Sequence, residues 1–552
     1  MLTSVQSDPE PGSDCIRVFV TLAERAAPLY VSTSTLEWCG MWRSKQMEWL
    51  KRCVSKEGRE DTVGREIQDE DALETPLERR QRWRSVYVIY FTMFQMSLGF
   101  SIVLTGVWPY LDKLEPGTKK EMLGLAVGAS PLGQLLLSPL LGLWANRAGS
   151  VRAPLVATMT LFVMASALYS QLHLTRPYAL YCMLIARFLI GVSSSNVAVA
   201  RAYLSAATLA GERTRAVAAV SLAQVLGFVA GPALQAAAAP LGSADESPGL
   251  HLDMYSAPGA INGVLGFINL LLLLPCCFQE TDIALREAVR ARGDRSEKEV
   301  LKALKPDYIS SWMLVGAFFV LVFNFVLLET LATTLSMEQF GWGKAQALQY
   351  MGALMSAGAL VACLVFAAIP PLTRRFEERA LLVWGGFLPT AAASLLCIPW
   401  GPGPPPLAVP GQHEALGGCP QETQPWCAES RALSLVQFLL AYACVSVGYP
   451  LGVTLIQTIF SKVLGPRPQG VWQGVLAGAG CAARALGPLL VAGVYARRGP
   501  PAAFAVTAAL TFAALLALRA VYPRLLLPAP ASPPPPCELQ PLAHRDRNPD
   551  NT

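Results

Sequence analysis

The chain has 552 residues, of which 53% are hydrophobic and only 15% charged, with 44 Lys and Arg against 39 Asp and Glu for a formal charge of +5. That length and apolar content exclude a single soluble core and set the chain among membrane proteins rather than water-soluble enzymes. The small positive excess does not call for a nucleic-acid partner, because the basic residues sit in loops that recur on one side of long apolar stretches.

Residues 1–80 are mixed and polar. They end in the acidic run Gln68 to Glu74 and the basic stretch Glu78-Arg79-Arg80-Gln81-Arg82-Trp83-Arg84, and read as a largely disordered cytosolic tail. The stretch Cys15 to Leu29 is too charged to cross a membrane. No cleavable signal peptide is predicted near Met1, so the first span does the targeting. Twelve apolar stretches follow, at about 86–110, 122–145, 153–173, 178–204, 216–239, 258–278, 311–335, 346–370, 380–399, 432–459, 470–495 and 501–522. Each suits the ~30 Å hydrocarbon core, where every backbone amide must pair within its own helix. The prediction is an all-α polytopic membrane protein with twelve transmembrane helices. The tail 524–552 contains Pro528 to Pro536, lacks the amide donors for a packed element, and is expected to be extended.

Lys and Arg number roughly 20 on the side of the N-terminal flank and loops 2–3, 4–5, 6–7, 8–9 and 10–11, against roughly 8 opposite, which predicts that this basic face and both termini are cytosolic. Trp108, Trp144, Trp312, Trp400 and Trp472 fall near span ends, where indoles favour the interface. An internal repeat divides the spans into two halves. Gly211-Glu212-Arg213-Thr214-Arg215 after span four is echoed by Gly465-Pro466-Arg467-Pro468-Gln469-Gly470 after span ten, and Gly231-Pro232 in span five by Gly487-Pro488 in span eleven. Two six-helix bundles, 81–278 and 311–523, are therefore expected on either side of a charged cytosolic linker, 279–310. Seven of the 13 cysteines lie in apolar spans and act as small hydrophobes. Cys419 and Cys427 stand apart in the polar loop between spans nine and ten, close enough to form a disulfide if that loop faces an oxidising lumen; the alternative is two free thiols.

No P-loop, HExxH, GxSxG or CxxC motif is present, and His173, His251, His413 and His544 are far apart. No enzyme activity, metal site or cofactor is expected, which leaves movement of a solute or ion across the bilayer. The informative residues are charges inside apolar spans, since an unpaired charge at the bilayer centre costs several kcal/mol and should face a partner or water. Arg187 in span four, Glu329 in span seven and Arg484 in span eleven lie at similar depths, roughly 10 to 16 Å from the lumenal helix ends at ~1.5 Å per residue. Along span four, Arg187, Gly191, Ser194, Ala198 and Arg201 recur at helical spacing, giving one small and cationic face suited to a water-filled cavity. With Arg484 opposite they predict a positive path for an anion, and Glu329 either lowers the field or takes a proton. The alternatives are a purely structural Glu329–Arg484 ion pair and a snorkelling Arg201. Asn196 and Gln224 join the candidate path, although inter-helix hydrogen bonding explains them, Gln134 and Gln235 equally well. Gly227 and Gly231, at GxxxG spacing, predict close helix contact.

Gly142-Leu143-Trp144-Ala145-Asn146-Arg147-Ala148-Gly149 after span two resembles the cytoplasmic loop motif of the major facilitator superfamily, Arg187 to Gly191 its span-four motif, and Gly227 to Pro232 its span-five motif. From about Arg82 to Pro523, roughly four-fifths of the chain, the sequence resembles a lysosomal member of that superfamily. Val107-Trp108-Pro109-Tyr110-Leu111, Leu328-Glu329-Thr330, Gly448-Tyr449-Pro450 and Ala483-Arg484-Ala485-Leu486-Gly487-Pro488 carry the match, with the Cys419 and Cys427 pair. The resemblance implies residence in late endosomal and lysosomal membranes and a chloride conductance. A proton-coupled carrier of a small organic anion is the alternative. It also implies a gating loop at Gly142, Asn146 and Arg147, but Asn146 stands where the superfamily has an acid, so the usual salt bridge there must be weakened or replaced. The chain contains no Asn-x-Ser/Thr sequon.

Overall fold

The structure, a computed structural model, describes residues 73–104, 106–115, 121–175, 178–241, 253–291, 296–297, 307–401, 403–408, 417–421 and 424–525. The polar tail 1–72 with its Cys15 to Leu29 stretch, most of the 292–306 segment, and the proline-rich tail beyond Leu525 lie outside the described residues.

Among the described residues eleven helices are long and apolar enough to span a bilayer: α1 (Pro76–Val103), α2 (Leu125–Ala148), α3 (Arg152–Ser170), α4 (Ala179–Ala206), α5 (Arg213–Ala238), α7 (Tyr308–Phe340), α8 (Gln346–Arg375), α9 (Glu378–Leu396), α10 (Leu435–Leu464), α11 (Gly470–Tyr495) and α12 (Arg497–Ala520). Between α5 and α7 lies α6 (Ala257–Leu272), apolar but only 16 residues long. The eleven and α6 make the expected twelve.

Helix starts follow local hydrogen-bonding chemistry more closely than hydropathy. Hydropathy puts the first span near residue 86, but α1 begins at Pro76, where Thr75 and Glu78 form a reciprocal cap. The Thr75 amide donates to Glu78 Oε2 at 2.8 Å, and the Glu78 amide to Thr75 Oγ1 at 3.3 Å. The basic stretch is therefore helical. Arg82 within it is buried, clamped by Glu74 at 2.5 Å and by Glu212 of the α4–α5 loop at 3.0 Å. Asp307 caps α7 by accepting from the Ile309 and Ser310 amides, and Ser434 caps α10 in a second reciprocal arrangement with Gln437.

The packing repeats with the sequence. In the first half α1 lies on α5, α2 on α4, and α3 on α6; in the second, α7 lies on α11, α8 on α10, and α9 on α12. The halves meet where α2 packs on α11 and α5 on α8. Small residues permit the closest approaches, because apolar lipid supplies no hydrophobic force between helices and contact area must do so. A Cβ on Gly227 would stand 2.1 Å from the Phe94 carbonyl of α1, and one on Gly231 would meet Ser101. Buried polar groups pair within each half. Asn269 donates to Gln95 at 2.8 Å in the first, and Asn324 reaches Ser394 and Thr511 at 2.7 and 2.9 Å in the second.

Cys419 and Cys427 form a disulfide in the α9–α10 loop. That loop is seated on helix ends: Trp426 packs on Tyr495, while Glu338 of α7 accepts from Gln424 at 3.2 Å and from the Tyr495 hydroxyl at 2.5 Å. On the same face Lys113 pairs with Asp253 at 2.9 Å. Burial raises the Asp253 carboxyl pKa, but the Lys113 ammonium and the Ser256 amide outweigh it and hold the group below the usual carboxylate value.

Two outcomes follow for thermal unfolding in detergent. Gly227→Ala lowers stability by about 1–3 kcal/mol through overpacking against α1, whereas Gly128→Ala, with nothing within 4 Å of the new methyl, is neutral or slightly stabilising. Asp253→Asn destabilises equally at pH 7 and pH 5. Because the folded-state pKa is depressed, the contribution of Asp253 is complete above the unfolded value and fades only as pH falls through the folded one, so the gap between wild type and variant closes in stronger acid.

Candidate transport site

A cavity of about 360 Å³ lies between the two halves, lined by α1, α2, α4 and α5 of the first and α7, α8, α10 and α11 of the second. Its walls are mostly apolar and aromatic: Phe100 stacks on Phe228 at 6.4 Å between ring centres, and Phe325 on Tyr449 at 4.1 Å. Into this space the fold brings Glu329, Arg484, Arg201 and Gln224. Glu329 and Arg484 sit deep between the helices yet are exposed to the cavity. Each feels the other's charge, but among the described residues the two make no direct ion pair; the Tyr449 hydroxyl lies beside the Arg484 guanidinium instead.

Arg201 lies deeper toward the basic face and is not a snorkelling residue. Its Nη2 donates to Gln224 Oε1 of α5 at 2.9 Å. With the Gln457 amide turned so that its oxygen faces the guanidinium, Nη1 and Nη2 reach that oxygen at 2.8 and 3.1 Å. Gln224 thus acts as a hydrogen-bonding partner as well as a lining residue.

Arg187 and Asn196 do not line the cavity. Arg187 is fully buried beside it: Nε donates to the Ala126 carbonyl of α2 at 3.2 Å, the guanidinium lies 5.6 Å from the centre of the Phe100 ring, and Nη1 and Nη2 have no hydrogen-bond partner among the described residues. Asn196, also fully buried, turns toward Met159 Sδ of α3 at 3.4 Å. The face of α4 toward the cavity runs Gly191, Ser194, Val197 and Arg201 at ordinary helical spacing; Ala198 is buried, and Arg187, one turn before Gly191, turns aside to the Ala126 carbonyl of α2.

Toward the basic face the halves are fastened together. Ser205 and Ser461 hydroxyls are 2.7 Å apart, Arg213 Nη1 points at the Ser461 carbonyl at 3.4 Å, and Lys462, held at 2.7 Å by Glu378 of its own half, reaches Thr214 of the first half at 3.2 Å. The loop motif takes part by packing and capping. A Cβ on Gly142 would lie 2.1 Å from the Gly470 carbonyl, and Asn146 Oδ1 accepts the Gly470 amide at 2.9 Å, satisfying a free N–H at the start of α11. An uncharged side chain thus joins the halves where the superfamily has an acid, while Arg147 is exposed.

Sequence reasoning missed Gln457 and the role of Tyr449. Both carried a signal, as polar groups inside an apolar span, and Gln457 warranted the attention given to Gln224.

Comparison with known proteins agrees with this architecture. The Major Facilitator Superfamily profile matches residues 89–411. The chain is 34% identical over 483 residues to Major facilitator superfamily domain-containing protein 8 of Xenopus laevis, covering 83% of this chain and 94% of that protein. Among solved structures it resembles the human organic anion transporter MFSD10 (TETRAN), with a TM-score of 0.56 at 20% identity over 81% of this chain and all of the other. It also resembles the proton:xylose symporter XylE, with a TM-score of 0.57 at 12% identity over 81% of this chain and 96% of the other. Twelve apolar helices among the described residues in two repeated bundles, a mostly apolar cavity with a few charged groups on the seam between them and the match over more than half of its length show that this chain is a membrane transport protein of the major facilitator superfamily.

Proposed function

We propose that the protein carries a small organic anion through the central cavity, by alternately exposing it at the two membrane faces. The observation that carries this reading is the charge inventory of an otherwise apolar space: Arg201 and Arg484 against Glu329 alone. The cavity is net positive by one with Glu329 ionised and by two with it protonated, so either state attracts anions and repels cations. About 360 Å³ and a lining of stacked aromatic rings suit a solute with an apolar body. Chloride is the second reading; the same uncompensated guanidinium groups favour it, while the size of the cavity does not. Glu329, reachable from the cavity, supplies a site at which one proton can travel with one anionic charge, and this makes proton coupling part of the proposal. Arg187, one ring away from the cavity behind Phe100, contributes positive potential without touching cargo.

We assign the protein to late endosomal and lysosomal membranes, with the basic face and both termini cytosolic. The Lys and Arg asymmetry supports the orientation. It leaves the disulfide loop in the lumen, where an oxidising environment suits it. In this reading 81–278 and 311–523 are the two moving bundles, 279–310 the cytosolic linker between them, and 1–80 and 524–552 cytosolic tails.

Uptake by proteoliposomes tests the reading. Arg484→Gln removes a charge-assisted contact of about 1.5–3 kcal/mol and lowers organic-anion uptake about tenfold or more. Glu329→Gln abolishes the dependence of uptake on a pH gradient while counterflow of the anion persists. Chloride current that falls in Arg484→Gln with no organic-anion flux in either protein would favour the second reading. Unaltered fluxes in both variants at normal protein levels would make the charges structural.

A further inference from the structure

Arg201 stands at a boundary. It lines the central cavity and also a void of only about 10 Å³ on its basic-face side, completed by Leu204, Ser205, Val217, Val220, Ser461 and Gln473; Gln457 lines both spaces. The void is barely large enough for one water molecule. Below it the halves close through the Ser205–Ser461 and Arg213–Ser461 contacts. The Arg201–Gln457 bond is thus the last polar contact between the halves before the cavity opens.

Its chemistry is unusual for a closure. A buried guanidinium is normally held by a carboxylate, because its desolvation must be offset by a full opposite charge. Arg201 is held by two neutral amides, Gln224 from its own half and Gln457 from the other, and its Nε has no hydrogen-bond partner among the described residues. A carboxylate offers the guanidinium a full opposite charge and two oxygens that match its fork, where the Gln457 amide offers one neutral oxygen. An anion arriving in the cavity therefore competes with Gln457 on favourable terms.

We propose that Arg201 and Gln457 form a latch released by the cargo. A carboxylate or another planar oxyanion, matched to the guanidinium fork, takes Arg201 from Gln457. This frees α10 from α4 and lets the basic face separate. Arg201 keeps its bond to Gln224, so the loosened contact is the one between the halves. The proposal rests on the anion reading of the central cavity, and it adds a specificity rule: a neutral isostere of the cargo enters without opening the protein.

The test places a cysteine at Val220, which lines the small void and not the central cavity, and measures its labelling by a hydrophilic maleimide on purified full-length protein, read by peptide mass spectrometry. Val220→Cys alone is expected to label slowly. Added Gln457→Ala raises labelling severalfold without any anion, and Gln457→Glu, which gives Arg201 a permanent carboxylate across the seam, lowers it below the parent. Gln224→Ala, which removes the amide of the same half, leaves labelling unchanged and separates a latch from general loosening. Benzoate accelerates labelling in the parent and not in Gln457→Glu, whereas benzamide accelerates neither. Equal labelling in the parent, Gln457→Ala and Gln457→Glu overturns the latch even where uptake is intact. Benzoate and benzamide acting alike overturns release by charge. Absence of anion uptake with the Gln457 variants behaving as stated overturns the transport reading and leaves the latch standing.

Discussion

A guanidinium group in the middle of a bilayer has to be surrounded by something other than lipid, and most of this structure can be read as an answer to that demand. The cost of an isolated charge in hydrocarbon is several kcal/mol at least, so the sequence can tolerate Arg187, Arg201 and Arg484 only where helices enclose them or a wet space reaches them. The fold provides both. Arg187 is enclosed between α4, α2 and the Phe100 ring, whereas Arg201 and Arg484 face a cavity on the seam between two bundles. A seam between repeated halves is also where a rigid-body motion changes accessibility without breaking any helix. Placing the charges there ties the solvation of the arginines to the motion of the protein.

The seam is built unequally along its length. Near the basic face it is close, held by backbone approach at Gly142 and Gly470, by the Asn146 cap on α11 and by the Lys462 contact with Thr214. Across the seam these are hydrogen bonds to neutral groups, at most charge-assisted from Lys462 and Arg213 and each worth about 3 kcal/mol or less, while the ion pair of Lys462 with Glu378 lies within the second half. A closure made of many weak contacts can open at modest cost, which a single strong buried salt bridge would oppose. On the other face the disulfide loop is fastened to α7 and the end of α11, all within the second half.

Much of this was legible in the sequence because a bilayer imposes long, uninterrupted signals. Hydropathy alone located the eleven long spans and the shorter α6, the repeated Gly-Pro pairs predicted two related halves, and GxxxG spacing predicted a close helix contact at Gly227 and Gly231, which α1 supplies. The failures have local causes. The start of α1 was hidden because a cap at Thr75 and Glu78 carries a helix through four arginines that hydropathy reads as flank. Helical spacing put Arg187 and Ala198 on the cavity face of α4, but spacing does not say where a long side chain ends: Arg187 turns to the Ala126 carbonyl and the Phe100 ring, and Val197 lines the cavity where Ala198 does not. Gln457 was missed because its role depends on a partner more than two hundred residues away, a distance across which no sequence period operates.

The central claim is that an anion held by the seam arginines drives the two halves apart at the basic face. Spin labels at Arg215, at the start of α5, and Arg375, at the end of α8, are exposed and belong to opposite halves. Their separation, measured by pulsed dipolar spectroscopy in lipid nanodiscs, reports that motion directly. The account predicts a short, narrow distribution without anion and a second, longer population once the transported anion is present. A distribution that stays short and narrow while the same anion is shown to bind would contradict it.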